Sequence, residues 1–171
     1  MISLTIVEDF NESIFSNYIV RTLESLDVKF KLIDVNNLES SHVNYVVLNS
    51  TKSLNNIELS TDCCLINMDN GLNRNINIYG SVVTYGFGNR NTVTISSLQY
   101  NNVSFVYCLQ RYIKLDLVNA YIEPQEIPIY IDFKDDNELY ALISAITIAL
   151  MEGVNCKEIE KKLSRKLLIF K

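Results

Sequence analysis

The chain has no tryptophan, one histidine, two prolines and five glycines among its 171 residues. A single His, with no Cys-x-x-Cys spacing anywhere, speaks against a structural zinc site, so no metal is expected. The four cysteines, Cys63, Cys64, Cys108 and Cys156, follow no ligand pattern. Adjacent cysteines rarely bridge each other, and reduced core thiols of a cytoplasmic protein are the expectation. No run approaches the roughly 20 apolar residues that cross a bilayer. The apolar N-terminal run is short and lacks the flanks of a secretion signal, so no membrane insertion is expected. One absence bears directly on function. Residues Ile6-Val7-Glu8-Asp9-Phe10-Asn11, between a predicted strand and a predicted helix, contain neither glycine nor lysine.

What is present reads as one domain, 1–171, which should bury about 70% of its unfolded surface. Apolar residues make up 48% of the chain, without repeat or linker. The excess of Asn, Ile, Lys and Tyr looks like the codon bias of an AT-rich bacterial genome and carries no chemistry. The net charge is −5. The one basic cluster, Lys157, Lys161, Lys162, Arg165 and Lys166, reads as a solvated helix face, so no nucleic-acid partner is expected.

Hydrophobic periodicity gives the elements. Ile2 to Val7 is a buried strand, and Asp9 to Leu26 a helix with Ile14, Phe15, Tyr18, Ile19, Leu23 and Leu26 on one face. Asp9 and Glu12 form a capping-box-like start. Further strands are expected at Lys29 to Val35, Val43 to Leu48, Cys63 to Asn67 and Ser81 to Tyr85. Such short apolar runs fit a parallel sheet covered on both faces. Thr92 to Leu98 and Val103 to Leu109 alternate around a polar turn, a hairpin signal. Ile127 to Phe133 is a strand in which Pro128 suits an edge. Glu138 to Met151 is a buried helix capped by Gly153, and a last helix starts near Lys157 with Asn155 and Glu158 as its cap pair. The fold class is therefore α/β: a three-layer, mostly parallel sheet with a small antiparallel subsheet.

In order, these segments resemble the central, ATP-binding domain of the Mur ligase family, the enzymes that add amino acids to peptidoglycan precursors. Cys64-Leu65-Ile66-Asn67-Met68-Asp69 looks like the family's strand ending in Asn-x-Asp, and Val82-Val83-Thr84-Tyr85-Gly86 like its strand ending in an aromatic and Gly. The hairpin matches the family's antiparallel subsheet. Ile127 to Ala145 is similar to the strand and helix that carry its Gly-x-His-Asn motif, and Gly153-Val154 with Ile159 and Leu163 to its closing helix. The resemblance implies a P-loop-type sheet. It also implies that the phosphate loop, Gly-Thr-x-Gly-Lys-Thr/Ser, falls on Ile6 to Asn11, where it is absent. The His-Asn motif falls on Asp135 to Ala141, with Asn137 in the histidine's place. The metal-binding Glu and His fall in Asn49 to Leu54, where neither type occurs. The flanking UDP-substrate and amino-acid domains of the family are expected to be missing.

Phosphoryl transfer needs a phosphate cradle, Mg²⁺ ligands and cationic stabilisation. With all three lost, the expectation is a pseudoenzyme, without cofactor, acting as a protein-interaction or regulatory module linked to the cell wall. A protein partner or homo-oligomer is expected through the apolar tail Leu167-Leu168-Ile169-Phe170. The alternative is a small-molecule binding protein, or an enzyme with reassigned chemistry, using the strand-end crevice at Asn67, Asp69, Gly86 and Asn89. His42 reads as a surface or capping residue, and Asp135-Asp136 and Glu8-Asp9 as helix caps.

Overall fold

A computed structural model describes residues 1–9, 13–38, 41–51, 54, 56–71, 75–99, 104–115 and 119–164. The expected tail segment Leu167 to Phe170, with Arg165 and Lys166, lies outside the described residues. Among the described residues the architecture is α/β, with a mostly parallel sheet of eight strands, a separate two-stranded hairpin and three α-helices. In chain order the elements are β1 (Ile2–Val7), α1 (Ile14–Ser25), β2 (Phe30–Leu32), a 3-10 turn (Val35–Asn37), β3 (Val43–Leu48), β4 (Ile57–Asn67), β5 (Ile76–Tyr85), β6 (Val93–Gln99), β7 (Ser104–Leu109), β8 (Ile113–Leu115), β9 (Ala120–Ile122), β10 (Gln125–Tyr130), α2 (Asp136–Met151) and α3 (Cys156–Ser164). The sheet order is β10-β7-β6-β5-β4-β3-β1-β2. Strands β2 to β6 with β1 pair in parallel, while β6-β7-β10 pair antiparallel, the subsheet expected from the alternating pattern.

Two cores sit on either side of this sheet. Alternation along β4 sends Cys63 and Leu65 to the helix side and Cys64 and Ile66 to the other. The helix-side core is the larger, built by α1, α2, α3 and the inner face of β6, β7 and β10. In the second layer, among the described residues, Leu38 and Leu54, with half-buried Ile33 and Val35, cover β3 and β4. Every residue of α2 from Glu138 to Leu150 is buried, so this helix is the centre of the molecule. Burying each of its Leu or Ile side chains contributes about 2 kcal/mol. Its polar members are satisfied locally, Ser144 and Thr147 donating to the carbonyls of Tyr140 and Ile143 at 2.8 and 2.7 Å.

Several boundaries differ from the sequence pattern. Helix α1 begins at Ile14, not Asp9, and its N-cap is Ser13, whose side chain makes no capping bond. Asp9 is turned instead toward Ser50, whose hydroxyl donates to it at 2.6 Å. Glu12, the other half of the expected capping box, lies outside the described residues. Strand β2 stops at Leu32, because the Asp34 carboxylate accepts the Asn36 amide at 2.8 Å and turns the chain into the 3-10 segment. Strands β4 and β5 start several residues earlier than expected, at Ile57 and Ile76. Strand β10 spans Gln125–Tyr130 and carries Pro128 on the sheet edge, as expected. The caps of the last helices hold. Asp135 accepts from the Glu138 amide at 3.0 Å, Gly153 follows α2 at φ +86, and Asn155 accepts from the Glu158 amide at 3.0 Å. Among the described residues, no helix is long and apolar enough to cross a membrane.

Candidate functional site

Open α/β sheets place ligands at the carboxyl ends of the strands, where the strand order reverses. Here the chain passes from β1 to β2 on one side and returns to β3 on the other, so the reversal lies between β1 and β3. The residues leaving these strands are Glu8 and Asp9, and Asn49, Ser50 and Thr51. Glu8 sends its carboxylate onto the N-terminus of α1, where it accepts the Ser16 amide at 3.2 Å. That amide belongs to the third residue of the helix, one of the orphan donors that would face a phosphate. The protein supplies its own anion there.

The next strand end is closed by a network of asparagines. Asn67 is buried; its amide donates to the Asn49 side-chain oxygen at 2.8 Å, and its oxygen accepts the Asp69 amide at 3.0 Å. Asn70 donates to the Asn49 carbonyl at 2.7 Å. Asp69 is exposed, and one carboxylate oxygen accepts both the Phe87 amide at 2.7 Å and the Tyr140 hydroxyl at 2.9 Å. Gly86 is buried beside it, and a Cβ there would lie 2.7 Å from Asp69 Oδ2. The rings of Phe87 and Tyr140 stack with centroids 4.8 Å apart. Burial, the bond to Asp69 and the charge of Asp136 all hold the Tyr140 hydroxyl above its ordinary range. Of the four crevice residues expected from sequence, Asn67, Asp69 and Gly86 thus come together as one latch, joining the ends of β4 and β5 to the start of α2. Asn89 lies exposed in the turn between β5 and β6. Sequence reasoning missed Asn49, Asn70 and Tyr140; the position of Asn49 directly after β3 was the available signal.

The other chemistry-bearing groups are spent structurally. Cys63 and Cys64 are both buried, and burial pushes the Cys63 thiol up to about 12 and Cys64 likewise upward, so neither forms a thiolate readily. His42 bridges two groups of β4, with Nδ1 3.0 Å from Ser60 Oγ and Nε2 2.9 Å from Asp62 Oδ1. Asn44 donates to the other Asp62 oxygen at 2.6 Å and accepts from Ser3. A Ser-His-Asp line is the arrangement of nucleophilic hydrolases. Here the imidazole is 54% exposed, whereas the electrostatic stabilisation behind such catalysis works in a water-excluded site. The trio is a polar clamp between the entry to β3 and β4. Among the described residues no three His, Cys, Asp or Glu side chains are grouped to hold a metal ion. Of the basic cluster, Lys162 is engaged with Asp27 at 2.9 Å, with Glu158 and with the Leu26 carbonyl. Comparison with protein-family models and with curated proteins finds no match.

Proposed function

We propose that this chain is a non-catalytic α/β module, a degenerate relative of the Mur ligase central domain, that acts by contact with another protein. One observation carries the reading: the helix terminus where a nucleotide phosphate would sit is filled by the Glu8 carboxylate. With Asp9 beside Glu8 at the end of β1, an incoming triphosphate meets like charge in place of amides and a lysine. The link to cell-wall biosynthesis rests on family analogy alone. Titration calorimetry with ATP, with and without Mg²⁺, should show no binding. Micromolar, Mg²⁺-dependent binding would overturn the proposal.

A second reading, a small-molecule site at the strand-end crevice, is favoured by the exposure of Phe87 (40%), whose amide bonds the Asp69 carboxylate, and of Met68 (41%), its neighbour in the chain. A thermal-shift screen against nucleotides, UDP-sugars and amino acids separates the two. A true ligand at about 100 times its dissociation constant stabilises by about 2.7 kcal/mol.

A further inference from the structure

Of all the asparagines in the chain, Asn70 alone is followed by glycine. An Asn-Gly pair favours a turn, and it also carries the chemistry of its own conversion. The backbone nitrogen after an asparagine lies within reach of that side chain's carbonyl carbon, and glycine puts no side chain in the way. Asn70 and Gly71 lie exposed in the turn that leaves β4. Gly71 has φ +74, and a Cβ built on it would meet nothing within 4 Å, so this face of the turn is open. Among the described residues, none accepts a hydrogen bond from the Gly71 amide.

We propose that Asn70 is a site of spontaneous deamidation, and that the product unlocks the asparagine network at the carboxyl end of β4. The deprotonated Gly71 nitrogen attacks Asn70 Cγ. An N–Cγ bond forms, the Cγ–Nδ2 bond breaks, and ammonia leaves with the proton that the Gly71 amide gave up. Water then opens the succinimide ring at either carbonyl. Opening at Cγ gives aspartate; opening at the backbone carbon gives isoaspartate, with the main chain rerouted through the side chain. Water is consumed, ammonia is released and no electron changes hands.

What the conversion does follows from the partners of Asn70. Its Nδ2 donates to the Asn49 carbonyl at 2.7 Å and lies 3.3 Å from Asn49 Oδ1. That oxygen also accepts from the Asn67 amide at 2.8 Å. A carboxylate in place of the Asn70 amide has no proton to give, so oxygens face oxygens. It also adds a negative charge next to Asp69 in the same turn. The bond to Asn49 fixes the side chain, so the attack proceeds when this strand end opens. The inference stands whether or not the module binds a ligand.

Peptide mass mapping during incubation at mildly alkaline pH tests it, with isoaspartate methyltransferase labelling as a second readout. The peptide holding Asn70 should gain about 1 Da and take the methyl label ahead of every other asparagine-containing peptide. Asn70→Gln, which would have to close a larger ring, should do neither. Asn70→Asp should melt several degrees below wild type, with faster amide exchange at 49–51 and 67–71. An Asn70 peptide still unchanged when other asparagines have converted would overturn the proposal. So would an Asn70→Asp protein that melts and exchanges like wild type.

Discussion

The Ser16 amide at the start of α1 has the Glu8 carboxylate as its acceptor, 3.2 Å away, across a segment that holds three acids, Glu8, Asp9 and Glu12, and no glycine. A carboxylate at a helix N-terminus satisfies an orphan donor and complements the dipole, worth about 1 kcal/mol. Glu8→Ala should therefore lower stability by about 1 kcal/mol in thermal or urea unfolding. Removing the acid should not create phosphate affinity, because the turn still lacks the glycines and the lysine that hold one. Asp69 works in the same manner between the loop after β5 and helix α2, fixing Phe87 and Tyr140. A variant Glu8→Ala as stable as wild type would show that Ser16 finds water or another acceptor just as good.

At the scale of elements, the wholly apolar strands and the all-round apolar α2 were legible, because full burial leaves an unbroken run. The caps Asp135, Gly153 and Asn155 were legible too, since capping is local chemistry. What was missed is half-exposed or non-local. Ile57 to Ser60 and Ile76 to Tyr79 alternate over only four residues each, so the expected starts of β4 and β5 fell at the apolar runs that follow. Strands β8 and β9, three residues each, carry too little pattern to be seen. Asn67 and Asp69 stood out at a strand end, but their fate depended on Asn49 and Tyr140, the latter 71 residues from Asp69. Gly80 is the element-level test. Its φ is +154, and a Cβ would lie 1.9 Å from the Thr61 carbonyl oxygen on β4. Gly80→Ala should cost on the order of 3 kcal/mol. Faster exchange at residues 57–61 and 76–80 should accompany the loss; an unaltered unfolding midpoint would mean that the two strands separate there at little cost.

Across the whole molecule, tyrosine hydroxyls tie the sheet to the central helix. Tyr107 bonds Thr147 at 2.9 Å, Tyr140 donates to Asp69 and Tyr45 donates to Glu152 at 2.6 Å, while within the sheet Tyr85 donates to the Leu48 carbonyl at 3.3 Å. Burial raises the pKa of all four, and of Tyr18, which is pushed up to about 12 beside Glu138. The native state thus holds these protons more tightly than the unfolded chain, whose tyrosines ionise near pH 10. Stability from this source is complete below that pH and is lost as pH rises toward the native values. The buried thiols act in the same sense from a lower start, Cys63 rising from 9.0 to about 12. Urea unfolding should weaken steadily from about pH 9 upward. The tyrosinate absorbance of the buried rings should then rise together with the loss of circular dichroism. Tyr107→Phe should flatten the pH slope above pH 10 by removing one proton from the difference between the two states. If Tyr45, Tyr107 and Tyr140 ionised near pH 10 while the helix signal stayed intact, their hydroxyls would be in water and would not be gripping α2.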